Sequence, residues 1–149
     1  MVSNAAVPGL THLPASLSPE VITELLREQP GFSGLVLTDP LSAAALSATG
    51  YPVPWAGVDA LAAGADMLLF KADPSTVATL TNQTVQAIVS AVGSGELSRR
   101  RLGTNAMLHV LHAKHINMCG YCALFKTRSL GRISGLAQHL RNFATRGMR

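Results

Sequence analysis

The sequence predicts an α/β fold built on a parallel sheet, and three observations carry that expectation. Two short apolar runs, Gly34-Leu35-Val36-Leu37-Thr38 and Asp66-Met67-Leu68-Leu69-Phe70, have the unbroken hydrophobicity of strands buried on both faces. Stretches with helical apolar spacing separate them, and the resulting strand, helix, strand, helix, strand, helix order implies βαβ units with right-handed crossovers. The composition, 48% hydrophobic and only 13% charged over 149 residues, excludes a disordered chain and suits one domain.

Each element has its own local reason. Met1 to Val7 reads as the end of a first strand, closed by Pro8-Gly9. Ser18-Pro19-Glu20 is a helix start, with a hydroxyl cap, a proline at the first helical position and an acid near the positive end of the dipole. Val21, Ile22, Leu25 and Leu26 make its apolar stripe, and Pro30-Gly31 ends it. After the strand at residues 34–38, residues 41–48 read as a short helix and Gly50-Tyr51-Pro52-Val53-Pro54 as a loop. A helix over residues 55–63 stops at Gly64, and the next strand covers residues 66–70. Asp73-Pro74 opens a long helix with apolar positions from Val77 to Val92, broken at Gly93-Ser94-Gly95. Ser98 caps a last helix running to about Lys114.

Charge divides the chain. Residues 1–120 hold six Lys or Arg against all eight Asp or Glu, a net of −2, whereas residues 121–149 hold six Lys or Arg and no acid, a net of +6. The basic balance therefore belongs to the tail, and the whole chain does not read as a nucleic-acid binder. Cys119 and Cys122 are too few and too close for a secreted disulfide framework. No apolar stretch approaches the roughly 20 residues of a membrane helix. Met1-Val2-Ser3-Asn4 lacks the basic start and apolar core of a signal peptide, so a soluble chain is expected, cytoplasmic if expressed as given.

The candidate functional residue is Asp39, at the carboxyl end of the run 34–38 and directly before Pro40. Strand exits are where (β/α)₈ enzymes keep their catalytic groups, although an aspartate there also serves as a helix cap or turn residue. Asp66 and Asp73 read as strand-start and cap residues. Three strands do not close a barrel of eight.

Four blocks, Pro14-Ala15-Ser16-Leu17-Ser18, Leu25-Leu26-Arg27, Gly31-Phe32-Ser33-Gly34-Leu35-Val36-Leu37-Thr38-Asp39 and Ala60-Leu61-Ala62-Ala63-Gly64-Ala65-Asp66-Met67-Leu68-Leu69, together resemble glycoside hydrolase family 3. The nearest likeness is to its β-N-acetylhexosaminidases, over about residues 1–118. The resemblance implies a partial (β/α)₈ TIM-type barrel, its last three βα units, with a C-terminal helix and an unrelated basic extension at residues 119–149, disordered or loosely helical. It further implies retaining hydrolysis of a terminal β-linked N-acetylhexosamine, with the aspartate at Asp39 as nucleophile, a sugar contact from Asn4, and no cofactor. Such enzymes also carry a Lys-His-Phe-Pro-Gly-type segment and a His–Asp acid/base loop, both earlier in the barrel, and neither occurs in these 149 residues. Asn4 stands where many relatives have histidine, and Pro40 where they often have Asp, Ala or Ser. The expectation is a chain inactive alone, with a carbohydrate substrate in the complete enzyme, no nucleic acid, no membrane span, and self-association of an exposed partial barrel.

A second reading is a non-catalytic protein binding zinc or nucleic acid. His112, His115, Cys119 and Cys122 are zinc-ligand types with a Cys-x-x-Cys knuckle spacing, although the His-x-x-His half is tighter than usual. Leu130, Ile133, Leu136, Leu140 and Phe143 recur near helical spacing among arginines, and Gly131, Gly135 and Gly147 weaken that helix.

Overall fold

Three extended segments run side by side and parallel, around Val2, over residues 36–39 and over residues 66–69. In the computed structural model, which describes residues 1–116, Val2 bridges Thr38 and Leu37 bridges Met67, both in parallel sense. The middle segment is therefore residues 36–39. The Val2 N–H donates to the Leu37 carbonyl (2.8 Å), the Asp39 N–H to the Val2 carbonyl (2.8 Å) and the Thr38 N–H to the Met67 carbonyl (3.1 Å).

The continuous strands expected over residues 34–38 and 66–70 do not form. Among the described residues, pairing is confined to isolated bridges. The cause lies in two side chains that take backbone donors. Leu69 N–H donates to the Thr38 hydroxyl (3.0 Å), and Val36 N–H donates to the Asp66 carboxylate (2.9 Å). A side chain that satisfies a backbone donor removes it from the ladder.

Burial corrects a second expectation. Val36 and Thr38 are buried and Val2, Leu68 and Phe70 pack toward the same core, whereas Met67 and Leu69 are each 39% exposed. Leu35 and Leu37 are half-buried, so only the face of Val36 and Thr38 is fully buried.

Helices cover that face. A short 3₁₀ turn, Ala15–Leu17, leads to a helix of wide π-type winding, Glu20–Glu28, in which Gln29 N–H reaches the Glu24 carbonyl five residues back (3.1 Å). Ser18 caps it as its hydroxyl group suggested, accepting from Val21 N–H (3.3 Å) and donating to Glu20 (2.5 Å). That hydrogen bond holds the Glu20 carboxyl below its ordinary pKa. Helix α1, Ala44–Ala48, is shorter than expected because residues 41–42 form a turn, with Ala43 N–H bonded to the Pro40 carbonyl (3.1 Å).

Helix α2, Val53–Ala63, starts two residues earlier than the pattern suggested, since Pro54 fits the first turn. It ends at Gly64, with φ 122°. A Cβ there would lie 2.8 Å from Thr23 Oγ1 and 2.9 Å from Ile22 Cγ2. Helix α3, Val77–Ser94, passes through Gly93 and stops at the left-handed Gly95. Asp73 starts it through its carbonyl rather than its side chain, accepting from Thr76 and Val77 N–H (both 2.9 Å). The last helix begins as a π-type stretch, Arg101–Ala106, and continues as α4, Met107–Ala113.

Two apolar clusters result. Leu17, Ile22, Val36, Leu41, Leu46, Ala56, Ala60, Ala63 and Ala65 form one, while Val58, Leu61, Ala87, Ala91 and Leu97 form the other, with Leu68 packed against both. Alanines and Gly57 on α2 permit this close approach. A Cβ on Gly57 would sit 3.0 Å from the Leu68 side chain. Full burial of residues such as Ile22, Leu41 and Leu46 contributes about 1.5–3 kcal/mol each. None of the described helices is long and apolar enough to cross a membrane.

Candidate active site

Asp39 leaves the carboxyl end of the middle segment, half-buried, with its neighbours set by the two flanking segments. Its N–H is held by the Val2 carbonyl (2.8 Å). The next residue, Pro40, fixes its own φ near −65° and keeps Asp39 out of the helical region. Leu41 N–H, one step further, donates to the Leu69 carbonyl of the third segment (2.8 Å). Beyond it, Lys71 N–H donates to the Ser42 hydroxyl (2.7 Å).

Asn4 comes to the same end of the sheet, two residues beyond Val2. Its Nδ2 donates to the Pro40 carbonyl (2.9 Å) and its Oδ1 accepts from the fully buried Ser16 hydroxyl (2.6 Å). The two residues singled out from sequence, Asp39 and Asn4, are thus brought together at one sheet end through the carbonyl of Pro40, the residue after Asp39.

The opposite, amino end of the segments is built around Asp66. Its side chain is 0% exposed and receives Arg27 Nη2 (2.6 Å), Arg101 Nη2 (3.0 Å), His109 Nδ1 (3.0 Å) and the Val36 N–H (2.9 Å). Burial alone pushes this carboxyl up. Hydrogen bonds with His109, the Val36 N–H and Arg27, together with the Arg27 charge, outweigh burial and hold it below the usual carboxylate range. Arg27 also donates to the Gly64 carbonyl (2.9 Å), and Arg101 to the carbonyls of Leu61 (3.1 Å) and Ala65. Read as a strand-start residue, Asp66 does occupy that place, yet it also pins three helical segments to the sheet. The signal in the sequence is a lone acid between Ala65 and Met67 in an otherwise apolar run.

His112 lies in the last turn of α4 and His115 follows it with φ 55°. Cys119 and Cys122 fall outside the described residues, as do the basic positions beyond residue 120. Among the described residues no group of three His, Cys, Asp or Glu side chains is placed to hold a metal ion. A cavity of about 360 Å³ lies between residues 13–19 and α2, with Leu13, Leu17, Tyr51 and Asp59 in its wall. Burial, then the Glu96 charge, raises the Asp59 carboxyl. Neither Asp39 nor Asn4 lines this cavity.

The family model of the glycosyl hydrolase family 3 N-terminal domain matches residues 1–113. The chain belongs to this glycosidase family. Its domain has a TIM-barrel-type fold, and solved family 3 structures resemble the chain. A β-N-acetylglucosaminidase from Paenibacillus is 31% identical, with a TM-score of 0.63, and the match covers 84% of this chain and 22% of that one. A family 3 glycosyl hydrolase from Mycobacterium smegmatis is 37% identical, with a TM-score of 0.59, covering 70% of this chain and 32% of that one. The β-N-acetylglucosaminidase of Thermotoga maritima is 27% identical, with a TM-score of 0.59, covering 72% of this chain and 22% of that one. This family 3 chain therefore spans less than a third of the length of each. No curated protein matches the sequence.

Proposed function

We propose that the chain supplies the last three βα units of a family 3 barrel, and that Asp39 is the nucleophile for retaining hydrolysis of a terminal β-linked N-acetylhexosamine. The observation that carries this reading is the position of Asp39. It is a half-buried carboxylate at the carboxyl end of the middle parallel segment, the face on which barrel enzymes bind substrate. The substrate class is supported by the Paenibacillus and Thermotoga maritima relatives, both β-N-acetylglucosaminidases.

In the reaction, an Asp39 oxygen bonds to the anomeric carbon as the glycosidic C–O bond breaks, and a general acid gives its proton to the departing oxygen. Water, deprotonated by the same group, then attacks the anomeric carbon and frees Asp39. The two groups must stand about 5–5.5 Å apart. The remainder of the barrel provides the second group, so the chain alone turns over negligible substrate. Residues 1–118 form the barrel portion and 119–149 an extension, a division supported by the family match ending at residue 113 and by the change in charge.

A chromogenic β-N-acetylglucosaminide assay tests both claims. Turnover by the isolated chain that is lost in Asp39→Asn would refute the need for the rest of the barrel. Turnover by the barrel-completed protein that survives Asp39→Asn would refute the nucleophile. The exposed Met67 and Leu69, on the side a closed barrel would cover, predict self-association of the isolated chain. Size-exclusion chromatography showing a stable monomer would contradict it.

A further inference from the structure

Asn4 meets two partners that belong to different parts of the sheet end, and their combination gives it a specific task. The planar amide offers a donor and an acceptor on one group. The acceptor takes the Ser16 hydroxyl (2.6 Å) and the donor goes to the Pro40 carbonyl (2.9 Å). Ser16 is itself anchored, 0% exposed and with its N–H on the Ser3 carbonyl (2.9 Å). Asn4 thus links a buried fixed point to the carbonyl of Pro40, the residue after Asp39.

The backbone around Asp39 is held from several sides, and the Asn4 link is one of them: in the same Pro40–Leu41 peptide the Leu41 N–H donates to the Leu69 carbonyl (2.8 Å). On the amino side the Asp39 N–H is held by Val2 (2.8 Å). On the carboxyl side Pro40 has no N–H and a locked φ, so no ladder bond can fix that residue and only its carbonyl is left to hold. That carbonyl accepts from Asn4 Nδ2 (2.9 Å) and from Ala43 N–H (3.1 Å), which uses both of its lone pairs. We infer that Asn4 is a positioning residue for Asp39, setting the direction in which the carboxylate leaves the sheet by holding the Pro40 carbonyl against Ser16. The catalytic meaning of this rests on Asp39 being the nucleophile. The positioning itself does not.

The test uses the full chain and amide hydrogen exchange read by NMR at Asp39, Leu41 and, as a core reference, Ala65, whose N–H donates to the Ala60 carbonyl (2.9 Å). Asn4→Asp keeps the shape and the acceptor toward Ser16 but loses the donor to Pro40, and Asn4→Ala loses both. Exchange at Asp39 and Leu41 is expected to accelerate about two- to tenfold in both variants, the worth of one hydrogen bond, with Ala65 unchanged. Unchanged exchange at Asp39 and Leu41 would overturn the inference. Equal acceleration at all three amides would also overturn it, by assigning Asn4 to overall stability alone. Because exchange is read without substrate, a failure of the nucleophile reading in the glycoside assay leaves this result standing, and the reverse holds too.

Discussion

Replacing Asp66 with asparagine keeps the shape of the side chain and its acceptor toward the Val36 N–H, but removes the negative charge between two arginines. Arg27 and Arg101 are 16% and 13% exposed, and Asp66 is 0% exposed, so neither guanidinium can recover full hydration once its partner is neutral. One Arg101 nitrogen, Nη1, is already buried without a hydrogen-bond partner among the described residues. Breaking a buried pair by removing one partner typically costs about 3–5 kcal/mol, against about 0–1 kcal/mol for a surface pair. The expected loss for Asp66→Asn lies in the first range. It would consume much of the roughly 5–15 kcal/mol that stabilises a typical domain. Urea unfolding followed by circular dichroism measures it, and a loss below about 1 kcal/mol would show that Asp66 behaves as a surface charge and refute the reasoning. The pH dependence follows in sign. The folded Asp66 carboxyl is held below its ordinary value, so its contribution is fully present above about pH 4 and fades as pH falls through the lowered folded value. In Asp66→Asn that acid-sensitive component should be missing.

Two further substitutions probe the interrupted sheet and the close helix contacts. Thr38→Val removes the hydroxyl that accepts from Leu69 N–H at 3.0 Å and leaves a part-buried donor without that partner. A loss of about 0.5–1.5 kcal/mol is expected, and an unchanged urea midpoint would show that the hydroxyl does not stand in for a ladder acceptor. Gly64→Ala forces a side chain into φ 122° and against Thr23 and Ile22, so it should cost at least about 1–3 kcal/mol, and a neutral or stabilising result would contradict the geometry of the α2 terminus.

The order of elements was legible in the sequence because each carries a local signal. The Ser18 cap, the Gly64 stop of α2 and the apolar runs at 34–38 and 66–70 depend on residues a few positions apart. The mismatches arise where a long-range side chain replaces a local backbone partner. Residues 34–38 read as a strand because Leu35, Val36 and Leu37 suit one. Their pairing is limited by Asp66, thirty residues beyond Val36, and by the Thr38 hydroxyl, which takes the donor of Leu69. A pattern of apolar residues contains no information about which donor such a group will reach.

The site divides in the same way. The sequence by itself determined that a carboxylate, Asp39, follows an apolar run and precedes a proline. It also determined that four blocks match one glycosidase family, since residue identity and short spacing are local properties. Only the tertiary structure decided that the middle parallel segment ends at Asp39, that Asn4, held by Ser16, reaches the Pro40 carbonyl, and that Asp66 holds Arg27, Arg101 and His109 at the other end. Those contacts join residues 12 to 43 positions apart, and their geometry depends on how the helices pack over the buried sheet face.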